Sequence, residues 1–129
     1  MHPQPAPQAI IVDDSRAMRM MLRRTLTELG YQVSEAATGT EALTLLASRP
    51  EPPALLLVDW NMPEMNGLDL VKRVRGNPVY APTRVMMVTT ETEMEQIADA
   101  LGAGADEYVM KPFTKDILAD KLQILGFNL

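Results

Sequence analysis

The stretch Ala54-Leu55-Leu56-Leu57-Val58-Asp59-Trp60-Asn61-Met62-Pro63-Glu64-Met65-Asn66-Gly67 decides the fold class. Five apolar residues end on an acid, a turn-forming loop follows, and Leu70, Val71 and Val74 then repeat at helical spacing. An unbroken apolar run of this length is a strand buried on both faces, which is the habit of parallel sheets. The helix after it is the crossover that a parallel neighbour requires.

The same alternation extends in both directions. Upstream, Ala9–Val12 forms a short apolar run ending in Asp13 and Asp14, and Met18, Met21, Leu22, Leu26 and Leu29 mark a helix closed by Gly30. Tyr31–Ala36 is more polar and reads as an edge strand. Thr38 and Glu41 form a capping box for a helix that closes near Arg49, before Pro50, Pro52 and Pro53. Downstream, Arg84–Thr89 is a fourth strand. Met94, Ile97, Ala98 and Leu101 form the stripe of the next helix, with Gly102 beyond its end. Tyr108–Met110 is a fifth strand, closed by Lys111-Pro112, and Thr114 caps a last helix with Ile117, Leu118, Leu122 and Leu125. Five strands alternating with five helices predict an α/β fold, a parallel sheet covered on both faces. The methionines fall mainly on faces expected to fill the core.

Composition sets the outer limits. The 129 residues leave room for one domain, expected over residues 9–129 after a short flexible lead at 1–8. A net charge of -5 argues against nucleic acid as a partner. No apolar run is long enough for membrane insertion. The absence of cysteine excludes thiolate chemistry and fits a cytoplasmic location. His2 has no second ligand near it in sequence and reads as incidental.

In an open parallel sheet, ligands bind beyond the carboxyl ends of the strands, where the strand order reverses. Those ends carry Asp13 and Asp14, Asp59, Thr89 and Lys111. Each has an ordinary structural explanation: Asp14 or Ser15 as a helix cap, Asp59 as a solvated acid, Thr89 as a cap, Lys111 as a surface charge. Together they describe three carboxylates, a hydroxyl and an amine on one rim. Two unit charges about 4 Å apart repel by about 4 kcal/mol at an effective dielectric near 20, so such a cluster protonates or binds a cation. Hard oxygen ligands favour Mg²⁺ over zinc or copper. Mg²⁺, a lysine and a hydroxyl around one carboxylate form a clamp for a phosphoryl group.

The run Val58–Gly67 resembles the phosphoacceptor loop of bacterial response-regulator receiver domains. The order Asp-Asp, Asp, Thr, Lys-Pro from Ile10 to the last helix is similar to that family's signature. The resemblance implies a flavodoxin-like sheet of order 2-1-3-4-5, with Asp59 as the residue that becomes an aspartyl phosphate. It further implies Mg²⁺ on Asp14, Asp59 and the Asn61 carbonyl, with Asp13 acting through a water. Lys111, Thr89 and the Thr90 amide would hold the phosphoryl oxygens. Tyr108 matches the family's switch aromatic, which turns inward as Thr89 moves, and Pro112 matches a proline that follows a cis peptide. The responding face would include Thr92, Met94, Ile97, Tyr108, Met110 and Lys121. Asn61 and Glu91 match positions that tune dephosphorylation, and their identities imply a short-lived phosphate.

The partners implied are a sensor histidine kinase and a downstream protein. The loop's likeness to stand-alone chemotaxis regulators points to the flagellar motor switch. Glu91, Glu93 and Glu95 depart from the lysines typical there, which leaves another phosphorelay or a kinase-regulating adaptor open. Such a chain is not an enzyme beyond self-phosphotransfer and autodephosphorylation. An aspartate-nucleophile phosphatase would want Asp-x-Asp rather than adjacent Asp13-Asp14, and a nucleotide site would want a Gly-x-x-x-x-Gly-Lys loop. A receiver serving as a phosphate-independent scaffold finds no support in the intact signature.

Overall fold

A computed structural model describes residues 6–90 and 95–127. Five parallel strands form one sheet: β1 (Gln8–Val12), β2 (Gln32–Ala36), β3 (Leu55–Asp59), β4 (Arg84–Thr89) and β5 (Glu107–Met110), in the order β2-β1-β3-β4-β5. The helices between and after them are α1 (Arg16–Glu28), α2 (Gly39–Ala47), α3 (Gly67–Arg75), α4 (Ile97–Ala103) and α5 (Lys115–Ile124). A 3₁₀ turn, Pro78–Tyr80, precedes β4.

Because side chains alternate along a strand, each central strand feeds two cores. Ile10, Val12, Leu56, Val58, Val85 and Met87 pack under α2, α3 and α4. Ala9, Ile11, Leu55, Leu57, Met86 and Val88 pack under α1 and α5. All five residues of β3 are buried, as its unbroken apolar run requires. β2 lies at an edge and only Ala36 in it is fully buried. Ser15, Thr38 and Thr114 cap α1, α2 and α5 through their side-chain oxygens. The Glu41 carboxylate completes the box on α2 by accepting from the Ala37 N–H, one residue before the cap itself.

Several expectations need correction. β1 begins at Gln8, because the Ala54 N–H donates to the Gln8 carbonyl and extends the ladder beyond the apolar run. Tyr31 precedes β2 rather than opening it, and packs edge-on against Phe127 with ring centroids 5.5 Å apart. Gly102 lies inside α4, and the left-handed turn that ends the helix falls at Gly104, with φ +120°. Ala98 and Leu101 are exposed, so the buried stripe of α4 is Ile97 and Ala100. Among the described methionines only Met86 and Met87 are fully buried, whereas Met20, Met21 and Met110 face solvent. The buried side of α1 narrows to Leu22 and Leu26, a two-residue seam that leaves Met21 outside.

Candidate functional site

Register places the chemistry. Val12 pairs with Val58, Asp59 with Val88, and Thr89 with Met110. Asp13 and Asp59 therefore leave adjacent strands side by side, and Lys111 follows one step past Thr89's partner. β1 and β3 flank the point where strand order reverses, the place where open α/β sheets bind ligands.

Carboxylate oxygens of Asp13, Asp14 and Asp59 come within 4.8 Å of one another. Asp13 and Asp59 are 1% and 6% exposed, while Asp14 faces solvent. The Ser15 N–H donates to Asp13 Oδ1 at 2.8 Å, and Arg19 Nη1 donates to the Asp13 carbonyl at 2.6 Å, so backbone and carboxylate are both fixed. Asp13 Oδ2 is buried and accepts no hydrogen bond. Lys111 Nζ stands 3.1 Å from Asp59 Oδ1 and 3.7 Å from Asp13 Oδ2. Thr89 is fully buried and its Oγ1 has no hydrogen-bond partner.

Electrostatics follow from this crowding. Burial, and next the Asp13 charge, push the Asp59 carboxyl up to about 6; Lys111 offsets part of the rise, and Asp14 adds to it. A carboxylate held this far up is one that a cation would stabilise. An orphaned buried oxygen, three hard donors and open solvent on the Asp14 side match the donor set of a hard divalent ion.

The loop after β3 is shaped to hold Asp59 at the rim. The Gly67 N–H returns to the Trp60 carbonyl at 2.9 Å, and Asn66 caps α3 by accepting from the Asp69 N–H. A Cβ at Gly67 would lie 2.6 Å from the Asp59 carbonyl and 2.8 Å from Met87 Cε, so this position requires glycine. Glu64 adopts φ 68° in a γ-turn closed by Met65 N–H on the Pro63 carbonyl. Sequence reading placed Gly67 only at the loop's end; the Asn-Gly pair just before the apolar helix pattern was the available signal.

Of the remaining residues singled out from the sequence, Asn61 is exposed and Thr90 half-buried, each engaged by other groups. The Lys111–Pro112 peptide is cis. Tyr108 is half-buried against the core under α2–α4, with Lys121 Nζ 4.5 Å from its ring centroid. Met110 is exposed, but Ile97 is buried and offers no surface to a partner, because it holds α4 to the sheet. Leu101, Ile117 and Ile124 are large apolar side chains of α4 and α5 that stand exposed, and sequence reading gave none of them a surface role. Ile117 and Ile124 fall off the Leu118–Leu122–Leu125 seam, which was the signal for them. Glu91, Thr92, Glu93 and Met94 lie outside the described residues, as does His2. No described helix is long and apolar enough to cross a membrane.

Comparison with known proteins places this geometry. Residues 9–123 match the family model described as the response regulator receiver domain. The chain is 47% identical over 119 residues to a chemotaxis protein CheY homolog of Campylobacter jejuni, covering 91% of each. It is 45% identical over 121 residues to chemotaxis protein CheY1 of Helicobacter pylori, covering 92% of this chain and 97% of that one. The solved chemotaxis response regulator CheY4 of Vibrio cholerae superposes with a TM-score of 0.85 at 36% identity, over 93% of this chain and 98% of that one.

Proposed function

The chain belongs to the response regulator receiver domain family, and from that premise we propose that it is a phosphorylation-driven signalling switch with Asp59 as the acceptor. The observation that carries this reading is the rim itself: three carboxylates within 4.8 Å, with Lys111 reaching Asp59 and Asp13. A carboxylate oxygen of Asp59 attacks the phosphorus of a phosphohistidine on a sensor kinase. The P–N bond breaks, its electron pair returns to the imidazole, and an acyl phosphate remains. Little covalent work falls to the protein, so positioning and charge dominate.

Asp13, Asp14, Asp59 and the Asn61 carbonyl would hold Mg²⁺, which supplies positive charge to the phosphoryl oxygens when bound. Lys111 neutralises a second side of the group. Thr89 Oγ1, buried without a partner, is a donor with capacity in hand, and the Thr90 amide is assigned a further oxygen. Drawing Thr89 toward the phosphate opens space beside β4 that Tyr108 fills, which changes the surface of α4, β5 and α5. Met110, Lys121 and the exposed Leu101 and Ile117 belong to that responding face, together with Thr92 and Met94.

The relatives named for chemotaxis support a role in motility signalling, in the cytoplasm, with a flagellar motor component as the first target to test. Glu95 is exposed near the start of α4, and with Glu91 and Glu93 it gives that region a negative charge. A target fitting this chain therefore presents cations where the helix begins. Asn61 and Glu91 set how fast water removes the phosphate, and turnover on an external substrate is not part of this role. The receiver unit is assigned to residues 9–129, with 1–8 as a lead.

The test is covalent. Incubation with a small phosphodonor and Mg²⁺ is expected to add one phosphoryl group, mapped to Asp59 by mass spectrometry and absent from Asp59→Asn. Incorporation at another residue, or none, contradicts the reading.

A further inference from the structure

Away from the acceptor rim, β5 and α5 carry a closed set of contacts around Tyr108. The Lys121 ammonium on α5 stands over the Tyr108 ring, 4.5 Å from its centroid. The same Nζ donates to Glu107 Oε1 at 3.2 Å, and that oxygen also accepts the Tyr108 backbone N–H at 2.9 Å. The Lys121 and Glu107 side chains are 26% and 15% exposed, so water screens the pair only in part. Glu107 thus fixes the cation, and the cation covers the ring. A ring that turned inward would leave Lys121 behind, because the ammonium cannot follow without abandoning Glu107.

We propose that Lys121 and Glu107 form a latch that holds Tyr108 in its present position and thereby opposes occupation of the acceptor site. The inference rests on the phosphoacceptor reading above, in which Tyr108 moves once Thr89 is drawn to the phosphoryl group. Tyr108 pairs with Met87 on β4, two residues before Thr89, so ring and hydroxyl belong to neighbouring strands. A ligand at Asp59 that favours the displaced ring must overcome the latch, and by linkage, loosening the latch tightens that ligand. A partly exposed cation–π contact corresponds to a factor of about two to five in an equilibrium constant. Lys121 acts here as a positioning residue, reaching the acceptor site only through Tyr108.

The experiment uses the full chain at saturating Mg²⁺, titrated with beryllofluoride as a phosphoryl mimic and followed by calorimetry. Lys121→Met and Glu107→Gln are each expected to tighten binding about three-fold. Lys121→Arg, which keeps a cation over the ring, is expected to tighten binding less than Lys121→Met does. In a Tyr108→Ala background, Lys121→Met is expected to change nothing. Unchanged or weaker binding by Lys121→Met, or the same tightening without the ring, overturns the latch and leaves the acceptor reading standing. A wild-type chain that binds no beryllofluoride brings down the acceptor reading, and the latch with it.

Discussion

β4 carries a polar cluster at each end, and the two are built on opposite principles. At its start, Arg75 reaches from the end of α3 and donates to the carbonyls of Gly104, Tyr80 and Thr83 and to Asp106 Oδ2, all within 2.9 Å. Asp106 Oδ2 also accepts the Val85 N–H, and Thr83 Oγ1 donates to the Pro53 carbonyl at 2.7 Å. Four of the five N–H donors of that guanidinium group have acceptors. At the other end, one lysine faces two buried carboxylates, Asp13 Oδ2 and Thr89 Oγ1 have no hydrogen-bond partner, and Asp59 holds its proton up to about pH 6. Both clusters set a cation against carboxylates, Arg75 against Asp106 beside the start of β4 and Lys111 against Asp13 and Asp59 beside its end. The closed one ties α3, α4, β4 and β5 together. The open one is unsatisfied by protein groups alone, and an unsatisfied buried group calls for an explanation other than stability. The metal and phosphoryl group proposed for it would satisfy those atoms.

The sharpest way to break this contrast is to damage the closed end. Arg75→Met removes four hydrogen bonds and leaves Asp106 without its main counter-charge. The expected loss is about 3 kcal/mol in urea unfolding, with phosphoryl acceptance retained by the folded fraction. A loss below about 1 kcal/mol would show that the hub is ornamental.

Next in size is the opposite change at the open end. Asp59→Asn removes a charge that the fold disfavours, and is expected to stabilise the metal-free protein at pH 7 by about 2 kcal/mol while abolishing phosphorylation. The sign with pH is fixed by linkage. With its folded value raised from 3.8 to about 6, Asp59 holds its proton more tightly folded than unfolded. Stability therefore falls as pH rises from about 4 to about 6 and levels off above. Denaturation at stepped pH is expected to show that fall in the wild-type chain and a smaller one in Asp59→Asn.

The smallest effects come from a matched pair. Thr83→Val strands the buried Pro53 carbonyl and is expected to cost about 1 kcal/mol. Thr89→Val deletes a hydroxyl that bonds to nothing and is expected to be neutral or mildly stabilising. Equal losses at the two positions would erase the difference between the ends.

The open end was legible from the sequence and the closed end was not, for a physical reason. Asp13, Asp14, Asp59, Thr89 and Lys111 all sit where a strand ends, so strand assignment alone gathers them. β3 announced itself because a central strand cannot hide its burial. Arg75 and Asp106 lie 31 residues apart, and their meeting depends on how α3 crosses the sheet, which hydrophobic periodicity does not encode. The end of α4 was misplaced for a related reason. Two glycines compete there, and Gly104 takes the left-handed turn because the Arg75 side chain occupies the space where its Cβ would go. Ile97 was expected at a surface, yet a helix as short as α4 needs its few apolar residues to hold it to the sheet.

The most direct test of the account is the titration of the Asp59 carboxyl itself, followed by carbon NMR on aspartate-labelled protein with and without Mg²⁺. The account requires a midpoint near 6 in metal-free buffer that drops steeply once Mg²⁺ saturates the site. An ordinary aspartate midpoint, unmoved by Mg²⁺, would mean that the carboxyl end of the sheet carries no unmet charge and that the acceptor site has been misassigned.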